Sequence, residues 1–174
     1  MKPLLSGFIR SQRFKAAAPH IRGDVLDIGC GLGWFPLALS VAGHPTIGVD
    51  ENLKIIQAVR KSEAIKFDFS SRFLKRNQKM RVLKRDGQRQ TFDLITACGV
   101  NFGYHDAEYW GPEQYHFFVR NLFEVHLSDK PYAKVVFLPN KGENTDFLFE
   151  EETWTPVTDQ IKISRTTVEL RRPL

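Results

Sequence analysis

The segment that decides the fold is Val25-Leu26-Asp27-Ile28-Gly29-Cys30-Gly31-Leu32-Gly33. Val25 to Ile28 is a short apolar run that contains one acid, and it predicts a buried strand. Three glycines follow at alternate positions, and residues 34–39 then begin a helix that tolerates Pro36 in its first turn. A strand that bends through glycines into a helix is expected to bring backbone N–H groups close to a ligand.

A second apolar run, Thr46-Ile47-Gly48-Val49, ends in Asp50, 17 residues after Gly33. An acid at the tip of the second strand suits the two hydroxyls of a ribose. The dinucleotide fingerprint Gly-x-Gly-x-x-Gly is not met, because the sixth position is Trp34 when counted from Gly29 and Pro36 when counted from Gly31. The spacing therefore disfavours a pyrophosphate-binding turn and a nicotinamide-dependent oxidoreductase.

The pattern Asp-x-Gly-x-Gly-x-Gly over residues 27–33 resembles motif I of the class I S-adenosylmethionine-dependent methyltransferases, in particular small bacterial ones. The resemblance implies a Rossmann-like α/β fold: a mostly parallel twisted sheet, helices on both faces and an abbreviated C-terminal strand pair. It implies one domain over residues 1–174 and S-adenosyl-L-methionine as cofactor. Asp27 would face the positive methionine end of that cofactor, directly or through water.

We expect ten residues to contact the cofactor: Asp27, Gly29, Cys30, Gly31, Gly33, Asp50, Glu51, Asp86, Ala97 and Cys98. Asp86 depends on the position of the third strand, for which residues 65–69 and 80–84 are the two candidates. No Gly, Pro or Asn separates the first candidate from the helix predicted at 52–60, so we prefer 80–84. Asp86 would then lie near the adenine amino group, whereas a plain Asp-Gly turn is the alternative.

The fourth strand is predicted within Thr91–Gly99, where Phe-Asp-Leu-Ile resembles motif IV of the family, with Asp93 structural. An aromatic loop follows it. In that loop Tyr104 and His105 are the candidate catalytic residues, His105 as a base because its ordinary pKa is near neutral. Tyr104, Tyr109 and Trp110 either line an acceptor pocket or pack beneath the loop. Asn-Pro-Pro-Tyr is replaced by Cys98-Gly99-Val100-Asn101, which disfavours an exocyclic base amine as acceptor.

The remaining elements are predicted from periodicity and from helix and turn signals. The helices are one within 3–19 that ends before Pro19, one at 34–43 with Gly43 as its C-terminal cap, one at 112–127 and a short one at 144–151. The strands are at 45–49 and 133–138, with short ones at 161–164 and 167–170. The short C-terminal part is the weakest match to the family.

The chain carries a formal net charge of +5 over 174 residues. The positive charge is concentrated in the basic segment, residues 72–89, which holds eight basic side chains and one acid, Asp86. Such a segment is either a solvated helix face or a nucleic-acid patch.

Two cysteines, Cys30 and Cys98, form neither a disulfide framework nor a zinc site, so we expect packing thiols and no bound metal. We expect a cytoplasmic protein without a membrane partner, since no apolar run approaches the ~20 residues of a transmembrane helix.

These observations predict S-adenosylmethionine-dependent methyl transfer to an unidentified small-molecule acceptor. One alternative is a nucleic-acid or nucleotide-linked acceptor that docks on the basic segment. Another is a non-catalytic cofactor-binding or scaffold protein with the same fold, which the short C-terminal part motivates. Nothing in the sequence predicts an oligomeric state.

Overall fold

The centre of the molecule is a seven-stranded sheet in the order β3-β2-β1-β4-β5-β7-β6. Its strands are β1 Val25–Ile28, β2 Thr46–Asp50, β3 Glu63–Lys66, β4 Leu94–Cys98, β5 Lys134–Leu138, β6 Ile161–Ile163 and β7 Val168–Leu170. The helices are α1 Gln12–Ala17, α2 Trp34–Val41, α3 Pro112–Asn121 and α4 Glu151–Trp154. The computed structural model describes residues 12–31, 33–50, 63–66, 90–100, 102, 109–140 and 145–173.

The first five strands are parallel and the last two are antiparallel. β1 pairs with β2 on one side and with β4 on the other, and β5 continues the sheet beyond β4. β7 runs antiparallel to both β5 and β6. The structure thus confirms the predicted Rossmann-like α/β fold, including the short C-terminal strand pair.

The preferred position of the third strand is wrong. The strand that pairs with β2 is β3, in parallel register from Ile47↔Glu63 to Asp50↔Lys66. The segment that pairs with the free edge of β2 is short and alternating, and it directly follows the predicted helix. A Gly or Pro between that helix and the strand is not required. Asp86, whose role near adenine depended on a strand at 80–84, lies outside the described residues and loses that support.

Apolar side chains cover both faces of the sheet. Along β1, Leu26 and Ile28 pack in one core cluster, whereas Val25 packs in the other. β4 and β5 alternate in the same way, so each central strand is buried on both sides. This two-sided burial is typical of parallel strands in α/β proteins and explains their nearly continuous apolar sequences.

Glycines set both ends of α2. Gly33, with φ of +73°, is its N-cap. At the other end, the N–H groups of Gly43 and His44 donate to the carbonyls of Ser40 and Leu39 at 3.2 and 3.0 Å. That pair of bonds is a Schellman motif, with Gly43 in the left-handed conformation at φ of +89°. The predicted C-terminal cap at Gly43 is confirmed.

Three helices differ in detail from the sequence prediction. The N-terminal helix does not stop before Pro19 but continues as a 3-10 turn over Ala18–His20. α3 ends at Asn121, and its last turn widens into a π-helix over Leu122–His126. The helix predicted at 144–151 is a 3-10 turn, Asp146–Phe149, followed by α4. 3-10 turns at helix ends are common and π-helical turns are rare, and hydrophobic periodicity predicts neither.

An aromatic cluster joins α3, α4 and the sheet. The rings of Phe102 and Trp110 stack with centroids 4.5 Å apart, and those of Phe137 and Trp154 stack at 5.5 Å. Tyr115 lies between the two pairs and makes edge contacts with members of both. Within the described ranges, no helix has the length and apolar character of a membrane span.

Candidate functional site

The bend between β1 and α2 is fastened to the end of β2. The N–H groups of Gly29 and Cys30 both donate to the Val49 carbonyl, at 2.7 and 3.1 Å. The next N–H, that of Gly31, donates to Asp50 Oδ2 at 2.7 Å. These three N–H groups are therefore used to hold the bend against β2.

The open side of the bend lies over Gly31. Gly31 has φ of +52°, and a Cβ built there meets no described heavy atom within 4 Å. Gly29 differs: a Cβ there would lie 2.3 Å from Cγ2 of Val100, the second residue after β4. Among the described residues the space over Gly31 is therefore open, while Val100 closes the side over Gly29.

Asp50 ends β2 and is nearly buried, and its carboxylate accepts from the Gly31 N–H. Its relative exposure is 9%. A carboxylate offers about four acceptor positions, and the Gly31 N–H uses one of them. An acid held in one orientation beside an open cradle can bind a pair of neighbouring hydroxyls.

Asp27, within β1, is the second buried acid of the site. It is 2% exposed, and Thr96 Oγ1 of β4 donates to its Oδ1 at 2.8 Å. Burial raises the pKa of Asp27 to about 7, the negative charge of Asp50 adds to the rise, and the Thr96 hydrogen bond opposes it. Asp27 therefore titrates near neutral pH in the ligand-free protein, and a cation nearby would favour its ionised form.

The two cysteines pack as the sequence predicts. Cys30 approaches β2 closely enough that a Cβ on Gly48 would lie 2.7 Å from its Sγ. Burial, with contributions from Asp27 and Asp50, raises the pKa of the Cys30 thiol well above its ordinary range, so it stays protonated. Cys98 packs beside the core cluster that contains Val25 and Leu138.

At the carboxyl end of β4 the backbone is fixed from β5. The Gly99 N–H donates to the Leu138 carbonyl at 2.8 Å, and Asn140 Nδ2 donates to the Gly99 carbonyl at 2.9 Å. Ala97 is 3% exposed and its side chain belongs to the core, so this residue faces the site only through its backbone. Asp93, at the opposite end of β4, accepts hydrogen bonds from Ser128 and Lys130 at 2.7 and 2.8 Å, which confirms its structural role.

Four of the predicted site residues lie outside the described residues: Glu51, Asp86, Tyr104 and His105. The structure does place the two ends of the segment that carries Tyr104 and His105. Trp110 N–H donates to the Phe102 carbonyl at 3.1 Å. Trp110 is 2% exposed within the aromatic cluster, so it packs in the core and does not line a pocket.

Sequence reasoning missed one residue of the site, Thr96, which is the register partner of Asp27. The exact pairing of β1 with β4 is needed to find it, and the sequence alone does not give that register. Val100 belongs to residues 97–101, which leave β4 and are expected from the sequence to face the site, and it lies against Gly29. Among the described residues, no group of three or more His, Cys, Asp and Glu could hold a metal ion.

The raised pKa of Asp27 makes stability depend on pH. From its ordinary value of 3.8 up to about 7, the folded protein keeps a proton that the unfolded chain releases, so stability falls as pH rises through this interval. Asp27→Asn removes this effect, and its unfolding free energy relative to wild type should rise by about 2 to 3 kcal/mol between pH 5 and pH 8. Urea denaturation at both pH values measures the difference. A gap that is the same at pH 5 and pH 8 would contradict the assignment.

Several solved structures share this fold. DesVI from Streptomyces venezuelae is 18% identical with a TM-score of 0.56, over 82% of this chain and 56% of that one. CalS10 from Micromonospora echinaspora, an amino pentose methyltransferase involved in calicheamicin biosynthesis, is 15% identical with a TM-score of 0.53, over 82% and 56%. A TehB-like SAM-dependent methyltransferase from Corynebacterium glutamicum is 17% identical with a TM-score of 0.54, over 97% of both chains.

This chain therefore spans little more than half the length of DesVI and CalS10, at 56% of each. No protein-family model matches the sequence. At these low identities the likeness establishes a shared fold. The chain has the fold of the class I S-adenosylmethionine-dependent methyltransferases.

Proposed function

We propose that this chain binds S-adenosyl-L-methionine over Gly31 and transfers its methyl group to a small-molecule acceptor. The observation that carries the proposal is the 2.7 Å hydrogen bond from Gly31 N to Asp50 Oδ2. This bond holds a nearly buried acid beside the open side of a glycine bend. The arrangement suits a ligand with a pair of hydroxyls at one end.

The residues of the bend fit this cofactor chemically. Asp50 accepts hydrogen bonds from the ribose hydroxyls, and the missing side chain at Gly31 leaves space for the nucleoside. Asp27, buried in the adjacent strand, provides a negative charge for the cationic methionine end. The backbone of Gly29, Cys30, Gly33, Ala97 and Cys98 completes the contact surface in this proposal.

The sulfonium group of the cofactor supplies an activated methyl group. The contribution of this chain is to bind the nucleoside and to hold the acceptor in line with the methyl carbon. A base is needed only when the acceptor must lose a proton, and we propose His105, with Tyr104 beside it, for that task. Both roles rest on the sequence position of these residues after β4.

Two observations favour a small-molecule acceptor. The residues that leave β4 are Cys98-Gly99-Val100, and the Gly99 carbonyl is fixed by Asn140, so the segment differs from the Asn-Pro-Pro-Tyr signature of base-amine methylation. CalS10, which has the same fold, acts on an amino pentose.

Two alternatives remain distinct functions. A nucleic-acid acceptor would use the basic segment, which lies outside the described residues. A non-catalytic role was motivated by the short C-terminal part, yet α4, β6 and β7 supply the helix and antiparallel pair that the fold requires. The complete sheet therefore removes the observation that motivated the non-catalytic alternative.

Gly31→Ala tests where the cofactor binds. The added Cβ projects into space that we assign to the nucleoside, so the affinity for S-adenosylmethionine should fall at least about tenfold, which corresponds to about 1.4 kcal/mol. Gly43→Ala is the matched control, because it also places Ala at positive φ with no described atom within 4 Å, but at the far end of α2. Titration calorimetry on both variants decides. Equal affinities for the two variants would mean that nothing binds over Gly31.

Asp50→Ala tests the ribose contact. Loss of a charged acceptor for two hydroxyls should weaken S-adenosylmethionine binding by roughly 100-fold, about 3 kcal/mol. Asp50→Asn should lie between this variant and wild type, because its amide oxygen can still accept from Gly31. The control is Asp159→Ala, an exposed acid outside the bend. Unchanged affinity in Asp50→Ala would refute the assignment.

A labelled-methyl assay separates the three functions. We expect label from S-adenosylmethionine to appear in members of a panel of small amines, hydroxyl compounds and thiols. Label that appears only in RNA or DNA, and that falls steeply between 50 and 200 mM salt, would support the nucleic-acid alternative. Tight cofactor binding with no labelled product in either panel would support the non-catalytic one.

A further inference from the structure

Thr96 and Asp27 form a buried polar pair in the centre of the sheet. They are register partners across β1 and β4, and they are 0% and 2% exposed. Within the described part of the chain, Thr96 is the hydrogen-bond partner of the Asp27 side chain, at 2.8 Å. A buried hydroxyl or carboxyl is destabilising unless it is hydrogen-bonded, and here each of the two groups supplies the partner of the other.

The Thr96 hydroxyl has two acceptors nearby. Its Oγ1 lies 2.8 Å from Asp27 Oδ1 and 3.5 Å from the Leu26 carbonyl, so it donates to the nearer carboxylate oxygen when Asp27 is ionised. Donation to an ionised oxygen is stronger than donation to a neutral one. The pair is therefore most stable when Asp27 carries its charge.

The other groups around Asp27 act in the opposite direction. Its burial disfavours a charge, and the Asp50 carboxylate on β2 repels one. Cys30, at the end of β1, is a neutral thiol because its own pKa is raised. The Thr96 hydroxyl is the one neighbour among these that favours the carboxylate, and it also fixes the rotamer of Asp27.

We propose that Thr96 is a positioning residue, which holds the Asp27 carboxylate ionised and oriented towards the cationic end of the ligand at the glycine bend. This inference rests on the proposed function, since it takes the cationic ligand to be S-adenosylmethionine. Binding of the cation then displaces the remaining proton from Asp27 to solvent. The affinity for S-adenosylmethionine should accordingly increase with pH up to about 7 and then level off.

The test compares two ligands in wild type, Thr96→Val and Thr96→Ser. S-adenosylmethionine carries the cationic methionine end, whereas 5′-methylthioadenosine retains the adenine and ribose but is neutral. Titration calorimetry at pH 6, 7 and 8 gives both affinities. Thr96→Val should bind S-adenosylmethionine about tenfold more weakly at pH 7, with the rise in affinity displaced to higher pH.

The neutral ligand separates positioning from folding. Affinity for 5′-methylthioadenosine should stay within about twofold of wild type in both variants and should not vary with pH. This ligand is neutral, and a change in the pKa of Asp27 affects only the binding of a charged ligand. Thr96→Ser keeps the hydroxyl and should restore the wild-type affinity for S-adenosylmethionine. A parallel loss of both ligands in Thr96→Val, or no loss of either, would overturn the proposal.

Failure of the proposed function has a different signature. In that case wild type itself binds neither ligand. If wild type binds both ligands and Thr96→Val matches it at every pH, the proposed function stands and the role of Thr96 is wrong.

Discussion

The site depends on the attachment of one chain reversal to its neighbouring strand. Three consecutive N–H groups, from Gly29 to Gly31, donate to the last two residues of β2. A bend with three glycines is conformationally permissive, and without these bonds many arrangements would be accessible to it. The hydrogen bonds select one of them. They also fix Asp50, since its carboxylate is one of the acceptors.

The same attachment explains why acidic residues can be buried at this edge of the sheet. Asp50 receives a backbone N–H, and Asp27 receives the hydroxyl of Thr96. Each carboxyl therefore accepts a hydrogen bond from the protein, and a carboxylate has about four acceptor positions in all. The two acids lie on neighbouring strands and repel each other, and this repulsion contributes to the raised pKa of Asp27. A cationic ligand with hydroxyl groups would relieve that repulsion and use the remaining acceptor capacity.

Local patterns in the sequence were sufficient for most of the architecture. The apolar runs at 25–28, 46–49 and 133–138 predicted strands because parallel strands buried on both faces need nearly continuous apolar sequence. The glycine spacing predicted the bend, and it excluded a dinucleotide turn. The third strand was misplaced because no turn residue precedes the alternating segment that forms it. Only the pairing with β2, seen in the folded sheet, distinguishes the two short candidates.

The candidate site was less predictable than the fold. Asp27 and Asp50 were identified because they stand at characteristic positions next to apolar runs. Thr96 was not, because its importance comes from cross-strand register, which is a property of the folded sheet. Trp110 was ambiguous for a related reason: an aromatic residue after a strand can line a pocket or fill a core, and the choice depends on the rings it meets.

The contact between Gly29 and Val100 links two crossover segments that are far apart in sequence. Position 29 has no room for a side chain while valine occupies position 100, since a Cβ there would overlap Val100 Cγ2 at 2.3 Å. During divergence the two sites are therefore expected to change together, with any enlargement at one accompanied by a reduction at the other. In related sequences, covariation of positions 29 and 100 would show which of the two residues fills the space on this side of the bend between β1 and α2.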